Sequence, residues 1–92
     1  MISSSTRPRL ASKARLRFDR KSTRYMLLYP EKGLVLNPTG ADILKLCTGE
    51  HTVAAIVQQL AEKYSKDAPD VEPEVVAFLR AMADRGVLQD VP

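Results

Sequence analysis

A chain of 92 residues fits one domain and buries roughly two-thirds of its unfolded surface, which supports one modest core and leaves little room for an enclosed active-site cavity. At 45% hydrophobic residues the chain is globular rather than disordered, and neither a run of roughly 20 apolar residues nor a secretory signal is present, so a cytoplasmic protein with no membrane association is expected. Its single cysteine, Cys47, excludes an intramolecular disulfide, and its net charge of +3 divides into net +7 over residues 1–24 (eight basic residues against Asp19) and net −4 over the remainder.

Residues 1–12 are serine-rich, contain Pro8 and show no periodicity, which predicts a flexible basic arm before a single domain over 13–92. Leu16 and Phe18 then alternate with Arg15, Arg17 and Asp19, the period of a strand with one dry face. Tyr25-Met26-Leu27-Leu28-Tyr29 predicts a second strand and Leu34-Val35-Leu36 a third. Pro30-Glu31-Lys32-Gly33 lies between them, with Gly33 suited to the positive φ of a hairpin loop. Strands adjacent in sequence pair in space, so the second and third form an antiparallel hairpin. After Asn37 the period becomes helical: Pro38 opens a short helix, Thr39-x-x-Asp42 resembles a capping box with Thr39 as cap, and Gly49 stops it. Thr52 caps a second helix carrying Val53, Ile56, Val57, Leu60 and Tyr64 on one stripe. Lys66 to Asp70 reads as a loop. Pro73 opens a third helix with Val75, Val76, Leu79, Met82 and Ala83 on its apolar face, and Gly86 ends it. Val87-Leu88 returns to the core. Three strands followed by three helices give an α+β fold, with a three-stranded antiparallel sheet covered on the face of Leu16, Phe18, Leu34 and Leu36, similar in content to a winged helix-turn-helix.

No catalytic or metal-binding set can be assembled from these residues. His51 lies four residues after Cys47, across Gly49, without a third ligand or orienting group. Cys47 is expected as a small buried hydrophobe and His51 as a loop residue. Asp67, Asp70, Glu72 and Glu74 gather at the start of the third helix, where negative charge complements the helix dipole. No glycine-rich phosphate loop occurs. The expectation is no enzyme, no cofactor and no metal.

The strings Leu27-Leu28-Tyr29-Pro30-Glu31 and Leu34-Val35-Leu36-Asn37-x-Thr39-Gly40-Ala41-x-Ile43-Leu44 together resemble the pyrroloquinoline quinone biosynthesis protein D family. Cys47-x-Gly49, Thr52-Val53-x-x-Ile56-Val57-x-x-Leu60, Phe78-Leu79 and Arg85-Gly86-Val87-Leu88 agree with it, so the likeness runs from about Arg9 to Leu88. That resemblance implies a peptide chaperone of the RiPP recognition element type. Such a protein binds the leader region of the pyrroloquinoline quinone precursor peptide and presents it to a radical S-adenosylmethionine enzyme. The peptide would add as a strand beside the third strand, against the third helix.

An unpaired edge on the third strand is what such a role requires. The expected peptide-binding residues are Leu34, Val35, Leu36 and Asn37 on the strand, with Val75, Val76, Phe78, Leu79 and Met82 on the helix. Their place in the groove follows from the resemblance. Arg15, Arg17, Arg20, Lys21 and Arg24 are the candidates for contact with the partner enzyme. Exposed strand edges also predict a monomer able to form a homodimer. A second reading, a winged-helix nucleic-acid-binding protein, draws on the basic arm. Against it, Glu72-Pro73-Glu74 at the start of the third helix would repel phosphate where recognition helices approach it, so no nucleic-acid partner is expected.

Overall fold

Capping and turn chemistry decide where each element begins. In the computed structural model, which describes residues 2–91, the order is β1 (Arg7–Leu10), β2 (Arg15–Asp19), β3 (Arg24–Tyr29), β4 (Lys32–Val35), α1 (Pro38–Lys45), α2 (Val53–Lys63), α3 (Ala68–Asp84) and β5 (Leu88–Val91). Met1 and Pro92, the outer limits of the expected arm and domain, lie outside the described residues. The central sheet is antiparallel in the order β2-β3-β4, and β1 pairs with β5 in a separate two-stranded sheet. The fold is α+β, with the expected three-stranded sheet and three helices.

The β3–β4 loop contains only Pro30 and Glu31, and the positive φ of 63° falls on Glu31 rather than on Gly33, the residue suited to it. Gly33 is instead paired with Leu28 inside the hairpin. A Cβ there would stand 3.4 Å from Leu28 Cδ2 and 3.5 Å from Met26 Cε, so the missing side chain leaves room for these two on the outer face of the sheet. The cap of α1 also differs from expectation. Asn37 rather than Thr39 is the N-cap, accepting a 2.7 Å hydrogen bond from the Gly40 amide, with Pro38 at a first-turn position where no N–H is needed. Thr52 caps α2 through the Ala55 amide at 3.1 Å. The third helix starts earlier than Pro73. Asp67 is its N-cap residue, Pro69 occupies the first turn and Pro73 sits inside the helix, one turn along, where the lost N–H costs one bond to the Pro69 carbonyl.

The inner face of the sheet meets the helices. Leu27, Ile43, Ile56, Val75, Leu79 and Val87 have almost no exposed surface and anchor one continuous core. Leu16 and Leu34 pack against it in part, and Leu36 is buried. Phe18 does not join them. It shares the inner face but lies at the strand's end, 46% exposed, with its ring edge-on to Tyr25 at 5.1 Å.

Residues 3–11, expected within the arm, are stitched into the fold. The carbonyls of Thr6 and Ser4 accept from the Val53 and Ala54 amides at 2.8 and 3.0 Å, which satisfies donors that the N-terminus of α2 leaves open. Ala11 donates to the Val87 carbonyl at 2.8 Å, so in the alternating antiparallel pattern Pro8 and Leu10 face away from β5. The Leu10 amide bonds the Cys47 carbonyl, and the Pro8 carbonyl accepts from Gly49. Proline is tolerated at residue 8 because no β5 partner needs its N–H.

Candidate functional site

The central sheet has two open edges, β2 and β4, and it is the β4 edge that lies next to the start of α1. The Leu36 amide donates to the Tyr25 carbonyl at 2.9 Å, which marks that opposed pair as hydrogen-bonded. Antiparallel alternation then makes Leu27 with Leu34 and Tyr29 with Lys32 bonded pairs, in the register of this hairpin. Gly33 and Val35 fall between them. Their N–H and C=O groups point away from β3, toward the free side of β4.

Beyond that edge, α1 and α3 build a wall. Phe78 lies on the flank of α3 nearest α1, its Cε1 only 3.0 Å from where a Cβ on Gly40 would be, with Asn37 Oδ1 at 3.1 Å from the same point. Glycine in the first turn of α1 thus admits the Phe78 ring and the Asn37 cap together. Asn37, Thr39, Gly40, Ile43, Glu74 and Phe78 enclose an open hollow of about 390 Å³. At the hairpin end, Arg85 Nη1 donates to the Tyr29 hydroxyl at 3.1 Å, tying the last turn of α3 to β3. An acid, Glu74, thus borders the hollow, and a guanidinium is held at the hairpin end of the sheet.

The site residues expected from sequence divide into two sets. Leu34 is half-buried, Val35 is 52% exposed, and Asn37 and Phe78 retain accessible surface; these four line or border the groove. Leu36, Val75, Leu79 and Met82 are core residues with at most 4% exposure and have no surface to offer a guest. Val76 is half-buried, but two residues along a helix is a rotation of about 160° from Phe78, so it lies on the opposite flank of α3. Ala83, seven residues on and on that same flank, lines a hollow with Pro8 and Leu88. Thr39, Gly40, Ile43, Glu74, Tyr29 and Arg85 were not in the expected set. Glycine inside a helix, where it costs about 1 kcal/mol relative to alanine, was the available signal for a close approach at residue 40.

Cys47 is 3% exposed and its thiol points to the Ile43 carbonyl at 3.3 Å. Burial pushes its pKa up to about 12, the opposite of what activates a nucleophile. His51 is half-buried in the α1–α2 loop. Among the described residues no three histidine, cysteine or acidic side chains gather to hold a metal ion, and no helix is long and apolar enough to cross a membrane.

Residues 24–88, which include β4, α1 and α3, match the family model for coenzyme PQQ synthesis protein D, PqqD. The chain belongs to the PqqD family. The PqqA binding protein of Rhodopseudomonas palustris (strain BisB5) is 40% identical over 89 residues, covering 97% of this chain and 87% of that one. That of Methylococcus capsulatus is 38% identical over 77 residues, 84% of this chain and 81% of the relative. Among solved structures, the PqqD truncation of Methylobacterium extorquens PqqCD, a functional stand-alone RiPP recognition element, superposes with a TM-score of 0.83 at 34% identity, covering 97% of this chain and 95% of that one. TbiB1 in complex with the TbiA(β) leader peptide shares the fold, with a TM-score of 0.76 at 24% identity over 88% of this chain and 94% of that chain.

Proposed function

We propose that the chain is a cytoplasmic peptide chaperone of pyrroloquinoline quinone biosynthesis. It binds the leader region of the precursor peptide PqqA by strand addition to β4 and presents it to a radical S-adenosylmethionine enzyme. Its role is binding rather than catalysis. The observation that carries this reading is the free edge of β4, with the backbone groups of Gly33 and Val35 turned outward beside the hollow under Phe78. Kinship with proteins named for binding PqqA supports the choice of guest.

Backbone pairing alone does not hold a peptide. The four outward groups of Gly33 and Val35 would return about 0.5–1.5 kcal/mol each, whereas ordering about five guest residues costs roughly 1–2 kcal/mol apiece. Side-chain burial must make up the difference, at about 1.5–3 kcal/mol for each apolar group fully covered. Two apolar guest side chains, one in the hollow beside Phe78 and one against Leu34, offset most of the ordering cost. In this reading the guest contacts Leu34, Val35, Asn37 and Phe78, and the binding domain takes in β1 and spans residues 3–91 rather than starting at residue 13. The bases of β2 and its turn into β3, Arg15, Arg17, Arg20, Lys21 and Arg24, face the partner enzyme.

The test is an amide NMR titration with the leader region of PqqA. Saturable shifts concentrated at Gly33–Asn37, Gly40 and the Phe78 flank of α3 are expected. Shifts that avoid β4, or none at all, would remove the basis for strand addition.

A further inference from the structure

Helix α1 is a partition. Thr39, Gly40 and Ile43 face the groove described above, while Pro38, Ala41, Asp42 and Lys45, spaced along its other side, line a second and larger cleft of about 660 Å³. Of the large apolar or aromatic side chains that stand exposed among the described residues, Phe18 and Tyr64 both flank this cleft. Only Val35, on the β4 edge, accompanies them in that class. Tyr25 forms part of the wall between, its ring packed edge-on by Phe18 and covered by Lys45 Nζ at 4.1 Å.

The charges in the cleft are unbalanced. Arg24, Lys45 and Lys63 border it with a single acid, Asp42. That carboxylate is already engaged: it accepts from the Tyr64 hydroxyl and stands 3.0 Å from Lys63 Nζ, the one ion pair among the described residues. Lys45 and Arg24 form no close ion pair among those residues, although the Lys45 charge also acts on Asp42 at longer range. Arg20 and Lys21 lie in the β2–β3 turn, whose Thr23 also lines the cleft.

We propose that this cleft docks a protein partner through an acidic segment that carries one apolar or aromatic anchor side chain. The anchor inserts between Phe18 and Tyr64 over the Tyr25 ring, and a neighbouring carboxylate meets Lys45, with Arg24 at the rim. Such a pairing follows the usual composition of binding hot spots, an aromatic-lined pocket ringed by complementary charge. Position favours a protein over a diffusing small molecule. Asn37 borders both hollows, so a partner seated here lies directly beside the end of β4, where a bound peptide leaves the sheet. The inference rests on the presentation role proposed above and assigns that role a surface centred on Phe18, Tyr25 and Lys45, none of which contacts the β4 groove.

The experiment is a calorimetric titration of the full chain with the radical S-adenosylmethionine enzyme of the pathway, run beside a titration with PqqA leader peptide. Phe18→Ala and Lys45→Glu are compared with wild type, each confirmed as folded by its amide spectrum, with Lys45→Gln as the milder charge deletion. Each variant is expected to weaken enzyme binding by about tenfold or more while leader affinity stays within about twofold. Lys45→Glu should also flatten the salt dependence of enzyme binding. Enzyme affinity unchanged in all variants would overturn the docking site and leave the chaperone role standing. Loss of leader affinity would show that the guest peptide itself runs through the cleft, which also overturns it. Failure of wild type to bind the enzyme would instead remove the presentation role and the docking site together.

Discussion

Replacing Val35 with proline deletes one N–H from the free side of β4 and leaves the ladder to β3 intact, because Val35 belongs to an opposed pair that exchanges no backbone bonds. The side chain is 52% exposed, so little core is lost, and Leu34 already has the extended backbone that a following proline prefers. The effect on stability should stay within about 1 kcal/mol. Binding is another matter. The guest carbonyl that paired with this N–H is buried against β4 without a donor, which costs about 1–3 kcal/mol, or roughly 5- to 150-fold in Kd. Val35→Ala keeps the N–H and trims only a half-exposed side chain, so it should lose under about 1 kcal/mol of affinity. Both are measured by fluorescence anisotropy with a labelled PqqA leader peptide, with thermal melts in parallel. A folded V35P protein that binds like wild type, or a V35A protein that loses as much as V35P, would refute backbone pairing at this residue.

Gly40→Ala sets a Cβ 3.0 Å from the Phe78 ring and 3.1 Å from the Asn37 amide oxygen; the ring should swing into the groove. Helix propensity gained at residue 40, about 1 kcal/mol, offsets much of the strain, so the melting temperature should move little while leader affinity falls several-fold. Deleting residues 1–10 removes β1, two capping carbonyls at the start of α2 and the buried Pro8. A loss of about 2–4 kcal/mol in urea denaturation is expected, whereas a merely attached arm would leave the midpoint unchanged. For Asp42, burial raises the carboxyl pKa, but the hydrogen bonds from Tyr64 and Lys63 outweigh it and hold the value below its ordinary 3.8. Its stabilisation is therefore complete above about pH 4 and lost as pH falls through the lowered value. Asp42→Asn should narrow the stability gap to wild type in acid-denaturation curves below pH 4, and a gap constant down to pH 2 would contradict the pairing.

Periodicity made most of the architecture legible because most of it is local. The alternation at Leu16, the apolar run at Leu27 and the helical stripes through Ile56 and Leu79 each carry their own signal, and the short connections fix which strands pair. The β1–β5 pair joins segments about eighty residues apart, four residues each, with Pro8 breaking the strand signature. Buried Pro8 and half-buried Leu10 did alternate with exposed Arg7 and Arg9, but so short a pattern is lost among loops. The site was legible on β4, where an edge strand follows from element order. It was less so on α3. The centre of an apolar stripe belongs to the core, so Val75, Leu79 and Met82 went inward, and the groove fell to a flank residue, Phe78. The cleft around Tyr25 gathers residues 18, 25, 45 and 64 from four different segments, and no sequence pattern brings these together.

Pairing Arg7 with Val91 sets the first and last strands side by side, on the flank of α3 turned away from Phe78. Chain joined ahead of β1 or after β5 approaches the domain on this one flank. The domain can therefore be spliced ahead of, behind or between other folded units without its tether crossing the lane beside β4, and the tethered neighbour is held within reach of whatever chain that lane is carrying.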